Sequence, residues 1–263
     1  MSLILEPVAD ANAPLARRNP VAKLGAALLF TLPLVVTLDP VTPGVALLVE
    51  LAALPFFGVR AGMLARRAWP LLVAAFGVLV SMLLFAADRD GALLLSLGPV
   101  DVTTGVLAAA AGLILRIFAV ALPGIVVFAT TDPTDLADAL VQNAKAPARF
   151  AIGALAAFRL LPLLGQEWRM LNLARRARGI DAGRNPAVFA STGFALLVGA
   201  LRRGVRLAVA MDARGFDSAT PRTFARVQRF TRADAALVVI SLLLSATILA
   251  ATITFGLFRP IIG

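Results

Sequence analysis

Residues 235–258 read AALVVISLLLSATILAATITFGLF and contain no charged side chain. A helix needs about 20 apolar residues to cross the hydrocarbon core of a bilayer, so this stretch predicts a membrane-spanning helix. Residues 71–87 form a second uninterrupted apolar run, and residues 105–129 form a third that is interrupted only by Arg116. These three stretches predict full membrane spans.

Two shorter apolar stretches lie nearer the N-terminus. Residues 24–38 contain Pro33, and residues 44–59 contain Glu50. We predict that both are spans, because tilt or local thinning of the bilayer accommodates a short helix; a re-entrant pair is the alternative. Apolar side chains make up 60% of the chain, more than in an average soluble domain. The sequence thus predicts an all-α integral membrane protein with about five transmembrane helices and three cytoplasmic-side coupling helices.

The basic residues alternate along the chain in step with these spans. Lys and Arg precede the first span and follow the second, and sixteen lie between residues 130 and 234, whereas each of the other loops carries one at most. Basic loops of membrane proteins face the cytoplasm. We therefore expect a multi-pass protein of the cell (cytoplasmic) membrane with a cytoplasmic N-terminus and an external C-terminus.

The long basic segment divides the chain into three predicted regions. Residues 1–130 form an N-terminal four-helix membrane region, residues 131–234 form a cytoplasmic coupling-helix region, and residues 235–263 form a C-terminal transmembrane helix. The net charge of +10 is explained by cytoplasmic loops, so no nucleic-acid partner is expected.

Three helices are predicted in the coupling-helix region, each near a proline. Thr131-Asp132-Pro133 combines an Asp N-cap with a proline at the first helical position, which favours a helix to about Ala144. A second helix is expected from Pro147 to about Arg178, and a third from Pro186 to about Arg214. If both crossed the membrane, their strongly basic connection would face outward, against the charge rule. We therefore expect them to lie along or just below the membrane.

Both of these long helices end in the same sequence pattern. Residues 174–181 read ARRARGID and residues 210–217 read AMDARGFD, which share five of eight positions at an offset of 36. Arg near a helix C-terminus complements the helix dipole, and the glycine suits a left-handed C-cap. Capping alone does not require the repetition. Two similar ends, each with an Arg that can bind a carboxylate, predict two docking points for a partner that has two similar grooves.

Several classes of chemistry are disfavoured by composition. The chain has no His, Cys or Tyr, and its only two lysines, Lys23 and Lys145, lie outside any phosphate-binding loop of the type GxxxxGK[ST]. We expect no catalytic site, no cofactor and no metal site. If the protein uses ATP, another chain must bind it.

Further motifs make the sequence similar to one family. Besides the paired Ala-Arg-Gly motifs, it has NPVAK at residues 19–23, TTDPTDL at 130–136, and RLLP at 159–162 followed by Glu167. Together these resemble the transmembrane T component of energy-coupling factor (ECF) transporters, the EcfT- and CbiQ-like proteins of ABC-type importers. The family usually has Asp where this chain has Asn19.

The resemblance implies a coupling subunit that is not an enzyme. Its partners would be two ABC-type ATPase subunits, as a homo- or heterodimer, and a small hydrophobic membrane subunit that binds a vitamin or a metal ion. The implied ATPase-docking residues are Ala177, Arg178, Gly179, Ala213, Arg214 and Gly215. Supporting residues are Ala174, Ala210, Phe216, Asp181 and Asp217.

An alternative function is a self-contained secondary transporter or channel. That class requires polar residues within several spans, and here the spans hold essentially Glu50 and Arg116. Charges inside a membrane often have a functional role. An ion pair between Glu50 and Arg116 is one interpretation, and a direct role in transport is the other.

Overall fold

The computed structural model describes residues 13–37, 39–59, 61–86, 90–97, 100–180, 185–216, 218 and 223–257. Within these residues it contains eight α-helices and one two-stranded antiparallel hairpin. The helices are α1 (Pro20–Val36), α2 (Val41–Phe57), α3 (Ala61–Phe85), α4 (Thr104–Ala129), α5 (Pro133–Gln142), α6 (Ala148–Ala177), α7 (Pro186–Ala213) and α8 (Arg232–Thr254). The strands are β1 (Leu93–Leu97) and β2 (Val100–Thr103).

The chain forms two compact units. Leu3–Ala139 and Gln228–Gly263 together form the first, which we call the membrane unit; Leu140–Val227 forms the second, which we call the hairpin unit. The two long helices with the repeated ends, α6 and α7, both belong to the hairpin unit.

Helix α4 is the centre of the membrane unit, where it packs against α1, α2 and α3, while α8 covers α1. Fully buried alanines, Ala46 on α2 and Ala119 on α4, lie in one core cluster with Phe30, Leu34 and Ile248. Small residues let helix backbones approach closely, which provides van der Waals contact where lipid removes the hydrophobic driving force. Many large apolar side chains on the other faces of these helices are exposed, among them Leu28, Leu48 and Leu243, as expected for contact with lipid.

The turn between α1 and α2 is held by Asp39. Its Oδ2 accepts hydrogen bonds from the backbone N–H of Thr42 at 2.7 Å and from the Thr42 hydroxyl at 2.6 Å, which begins α2. Pro40 lies against Gly112 in the third turn of α4, where a Cβ atom would be 3.2 Å from the proline. The loop between α1 and α2 therefore lies beside α4, about two helical turns after α4 begins.

Arg116 does not pair with Glu50. The interpretation of these two intramembrane charges as an ion pair was therefore wrong. Both carboxylate oxygens of Glu50 are buried without a hydrogen-bond partner, and so are Nε and Nη2 of Arg116. The negative charge that acts on Arg116 is Asp39. The physical reason is the position of the α1–α2 turn, which brings Asp39 to the side of α4 one turn from Gly112.

Four helices are long and apolar enough to cross a membrane, judged by length and composition over the described ranges. Three of them, Leu64–Phe85, Thr104–Ala129 and Arg232–Thr254, confirm the stretches predicted as full spans. The fourth is α6, which was predicted to lie on the cytoplasmic side; five Arg along its length favour that placement, which stays a prediction. Helices α1 and α2 have 17 residues each and are shorter than a full span.

The start of α3 and the segment after α3 differ from the sequence prediction. Helix α3 begins at Ala61, ten residues before the apolar run at 71, because a helix continues through Arg66 and Arg67 as readily as through apolar residues. The segment after α3 was expected to be a loop, but it contains β1 and β2. Strand β2 reads VDVT, and β-branched residues favour extended backbone. Thr103 then caps α4 by accepting a hydrogen bond from the N–H of Val106.

Candidate functional site: two identically capped helix ends

Helices α6 and α7 form an antiparallel pair that is fixed by specific side-chain contacts. Arg175 Nη1, near the end of α6, donates to the carbonyl of Val188 at 3.0 Å and to the Ser191 hydroxyl at 2.6 Å, both in the first turns of α7. Trp168 packs edge-to-face on Phe189 with ring centroids 4.9 Å apart. These contacts fix the beginning of α7 beside the end of α6.

A second contact holds the pair further along. Glu167 of α6 forms an ion pair with Arg203 of α7, and both side chains are partly exposed. Residue 203 is fifteen positions beyond Val188, so the ion pair holds α7 beside α6 well past the region where Arg175 holds it. The two helices therefore form a hairpin that is held by contacts at two places along its length.

The first helix end has the geometry of a Schellman motif. Arg178 is the C-cap, and Gly179 follows with φ of 75°. The N–H of Ile180 donates to the carbonyl of Arg175 at 2.9 Å, and the N–H of Gly179 donates to the carbonyl of Arg176 at 2.9 Å. This pair of hydrogen bonds satisfies the last carbonyl groups of the helix and turns the chain away.

The second helix end repeats this geometry. Arg214 is the C-cap and Gly215 has φ of 70°. The N–H of Phe216 donates to the carbonyl of Met211 at 3.1 Å, and the N–H of Gly215 donates to the carbonyl of Asp212 at 2.9 Å. The described residues of the two copies, 174–180 and 210–216, end their helices with the same hydrogen bonds, as the repeated Ala-Arg-Gly sequence predicted.

The motif residues at both ends are exposed. Ala174, Ala177, Arg178 and Gly179 are exposed at the end of α6, and a Cβ atom at Gly179 would meet no atom within 4 Å. The equivalent residues at the end of α7 are exposed as well: Ala210, Ala213, Arg214 and Gly215. Phe216 is half-buried, and the two supporting residues Asp181 and Asp217 lie outside the described residues.

The two ends lie far apart. Arg175 contacts Val188 at the beginning of α7, whereas the second motif closes α7 at Ala213. The 25 residues between Val188 and Ala213 span about 38 Å at the helical rise of 1.5 Å. The hairpin thus presents two equivalent basic ends at opposite ends of α7, and it does not bring them together into one site.

The role of Arg175, which occupies an unmatched position of the first motif, was not predicted from the sequence. The second motif has Met211 there, so only the first end is tied to the neighbouring helix by an arginine. The sequence signal for this role of Arg175 was the difference between the two copies of the motif. Among the described residues, no group of three or more His, Cys, Asp or Glu could hold a metal ion.

Two of the other family-like motifs, NPVAK at residues 19–23 and TTDPTDL at 130–136, meet in a buried polar cluster of the membrane unit, a convergence that the sequence did not reveal. Asn19 caps α1 by accepting from the N–H of Val21 at 3.0 Å, and its own N–H donates to Asp234 Oδ1 at 3.0 Å. Lys23 Nζ donates to the carbonyl of Thr130 at 2.8 Å. Asn19, Lys23, Thr130 and Asp234 each expose 4% or less of their surface.

This cluster also explains why Asn replaces Asp at position 19. Nδ2 of Asn19 donates to the carbonyl of Arg229 at 3.3 Å, which a carboxylate cannot do. A carboxylate there would also face Asp234. In this chain the amide caps α1 and joins it to the segment before α8.

The fold and these helix ends define the chain as an α-helical integral membrane protein that carries a paired-helix hairpin. The sequence profile of the CbiQ family, described as cobalt transport protein, matches residues 11–224. The chain belongs to this family of membrane transport proteins.

Curated relatives of the chain are also named as transporter proteins. The chain is 29% identical over 154 residues to the energy-coupling factor transporter transmembrane protein EcfT of Leuconostoc gelidum, covering 54% of this chain and 58% of the relative. It is 32% identical over 163 residues to EcfT of Limosilactobacillus fermentum, covering 56% and 61%. It is 26% identical over 217 residues to EcfT 1 of Listeria monocytogenes, covering 78% and 81%. The matches to the first two relatives span about three fifths of their length.

Proposed function

We propose that this protein is the energy-coupling transmembrane subunit of an ECF-type ABC importer. It would link ATP hydrolysis by two partner ATPases to a membrane subunit that binds a vitamin or a metal ion. The names of the EcfT relatives support this proposal. The observation that carries it is the pair of exposed helix ends with the same Schellman geometry.

Two equivalent ends suit a partner with two equivalent grooves. Exposed Ala177 and Ala213 leave room for close approach, and Arg178 and Arg214 each offer a planar set of donors to a carboxylate. A separation of about 38 Å along α7 requires two binding grooves, one for each end. A dimer or pseudo-dimer of ATPases provides such a pair.

The contacts between α6 and α7 support a role in transmitting motion. When ATP brings two ATPases together, the helix ends held in their grooves would move towards each other, and the two helices, which are joined by Arg175 and by the Glu167–Arg203 ion pair, would pass this movement on. The movement would then reach the substrate-binding subunit. In this proposal the protein contributes no catalytic group, and the ATPases carry the hydrolysis.

Charge reversal at the two ends tests the proposal. The full chain is coexpressed with the ATPases and the substrate-binding subunit of its own organism, and ATPase recovery and substrate uptake are measured. Arg178→Glu or Arg214→Glu should each weaken ATPase binding by about tenfold or more, because the pairing is lost and like charges meet. Arg169→Glu, at an exposed position on α6 away from the end, is the matched control.

The double variant, which carries both Arg178→Glu and Arg214→Glu, should bind no ATPase while the membrane protein itself still folds. Unchanged recovery and uptake with both single variants would rule out docking through these ends. Uptake by the protein alone after reconstitution would favour the self-contained transporter instead.

A further inference from the structure

A polar basin opens in the membrane unit where three helices begin. It lies between the start of α1, the corner that joins α4 to α5, and the segment that leads into α8, and its volume is about 410 Å³. The side chains that matter for its chemistry are Arg17, Arg18, Lys23, Arg229, Thr131, Asp132 and Asp135. None of these residues belongs to the two helix ends described above.

The balance of charge in the basin is positive. Four basic side chains line it against two carboxylates, and a third carboxylate, Asp234, lies beside it and acts on Arg18 and Lys23. The two lining carboxylates have partners: Asp132 accepts from the N–H of Thr134 at 2.7 Å, and Asp135 accepts from Gln228 Nε2 at 3.4 Å. The N-terminal ends of α1, α5 and α8 adjoin the basin, and the positive ends of their dipoles add to this potential.

Thr131 gives an independent indication of a ligand. Thr131 lines the basin, only 6% of its surface is exposed, and its hydroxyl has no hydrogen-bond partner. A buried hydroxyl without a partner is unfavourable, so a group that hydrogen-bonds with it is expected. Lys23, whose ammonium group has three donors, donates one of them to the carbonyl of Thr130 and lines the same basin.

We propose that this basin binds a phosphate group, and that the phosphate belongs to an anionic phospholipid of the cytoplasmic leaflet. A phosphate offers several acceptor oxygens to the hydroxyl, ammonium and guanidinium donors that converge here. The basin lies at the ends of the apolar helices α1, α4 and α8, on the basic side of the membrane unit. This is the level at which lipid headgroups lie and where anionic lipids attract basic side chains.

Lipid binding to the full chain in mild detergent tests the proposal. Native mass spectrometry compares phosphatidylglycerol with phosphatidylcholine of the same acyl chains, and inorganic phosphate is added as a competitor. Both headgroups carry an ionised phosphate, but phosphatidylcholine also carries a quaternary ammonium that the basic side chains of the basin repel. Phosphatidylglycerol should therefore bind about tenfold more tightly. Arg17→Gln, at the exposed rim, and Thr131→Val, which keeps the shape of the side chain, should each reduce this preference several-fold.

Two controls separate a specific site from general attraction. Arg66→Gln removes an exposed charge on the same predicted side of the membrane, outside the basin, and should leave the preference unchanged. Thr131→Val should melt at or above the temperature of the parent protein in phosphatidylcholine, because the buried hydroxyl it removes has no partner within the protein.

Equal binding of the two lipids, or an equal loss of preference in Arg66→Gln, would overturn the proposal. Competition by inorganic phosphate that is lost in Thr131→Val would assign the basin to free phosphate and overturn the lipid assignment. A preference that depends on Arg17 and Thr131 and resists inorganic phosphate would establish the lipid site.

Discussion

Replacing Asp234 by Asn should destabilise the membrane unit, because this carboxylate joins the beginning of α8 to the beginning of α1. Its Oδ1 accepts from the N–H of Asn19 at 3.0 Å. Its Oδ2 accepts from the N–H of Thr231 at 2.8 Å and from the Thr231 hydroxyl at 2.6 Å, forming the capping box of α8. Asn19 and Asp234 are 215 residues apart in the chain, and only 2% of Asp234 is exposed.

The magnitude follows from the number of acceptors. An amide has one oxygen, so Asn at 234 keeps the two hydrogen bonds to Thr231 only if its NH₂ faces the N–H of Asn19. If its oxygen accepts from Asn19 instead, the NH₂ faces Thr231 and those two hydrogen bonds are lost. At least one hydrogen bond to a charged group is lost and a buried donor is left without a partner, an effect of about 2–3 kcal/mol. The bonds that remain also weaken, since the acceptor is no longer ionised.

Thermal unfolding of the purified full chain in detergent measures this effect. Asp234→Asn should lower the apparent melting temperature by several degrees, whereas Asp212→Asn, at an exposed position, should leave it unchanged. Asp234→Ala, which removes all the acceptors, should be the least stable of the three. Equal melting temperatures for Asp234→Asn, Asp234→Ala and the parent protein would refute the reasoning that this cluster holds α1 to α8.

Two further predictions concern the helix ends and the orientation of the chain. Gly179→Ala and Gly215→Ala should each weaken the helix end by about 1–2 kcal/mol, because the positive φ opposes any Cβ atom although both positions are open. Gly204→Ala, inside α7 in open space, should instead favour the helix by about 0.5–1 kcal/mol. Amide hydrogen exchange at the ends of α6 and α7 distinguishes these results, and protection equal to that of the parent protein in all three variants would contradict the capping argument. The chain has no cysteine, so single cysteines report sidedness directly. In right-side-out vesicles an impermeant maleimide should label Asp90→Cys, at an exposed position in the predicted external loop between α3 and α4, and spare Arg178→Cys; the opposite pattern would reverse the proposed orientation.

Local signals in the sequence were sufficient to define the long helices. Helix α7 begins at Pro186 and ends at Ala213, close to the predicted end at about Arg214, because a proline suits the first turn of a helix and a glycine in the left-handed region ends it. The predicted Asp132 cap of α5 is confirmed by its hydrogen bond to the N–H of Thr134. These features depend on neighbours within a few residues, which the sequence displays directly.

The membrane spans were predictable for a related reason. Every backbone polar group in lipid must be satisfied within its own helix, so a long apolar run has few other conformations available. Strand β1 was missed because Leu93–Leu97 reads LLLSL, a short apolar run that suits a helix or a strand equally well.

Other features depended on contacts between residues far apart in the chain. The partner of Arg116 was expected to be Glu50 from a count of helical depth, but Asp39 is the group that acts on it. A count along separate helices assumes that each one starts at the membrane surface. The hairpin of α1 and α2 instead turns back beside Gly112, and only packing reveals that offset.

The sequence by itself determined the apolar helices, their caps and the repeated basic ends, because each is specified by residues within one or two helical turns. The tertiary structure decided which distant groups meet: Asn19 with Asp234, Lys23 with Thr130, and the basic residues around Thr131. Such meetings depend on helix packing and on the register between helices. These are set by the summed fit of many side chains, which no local stretch of sequence encodes.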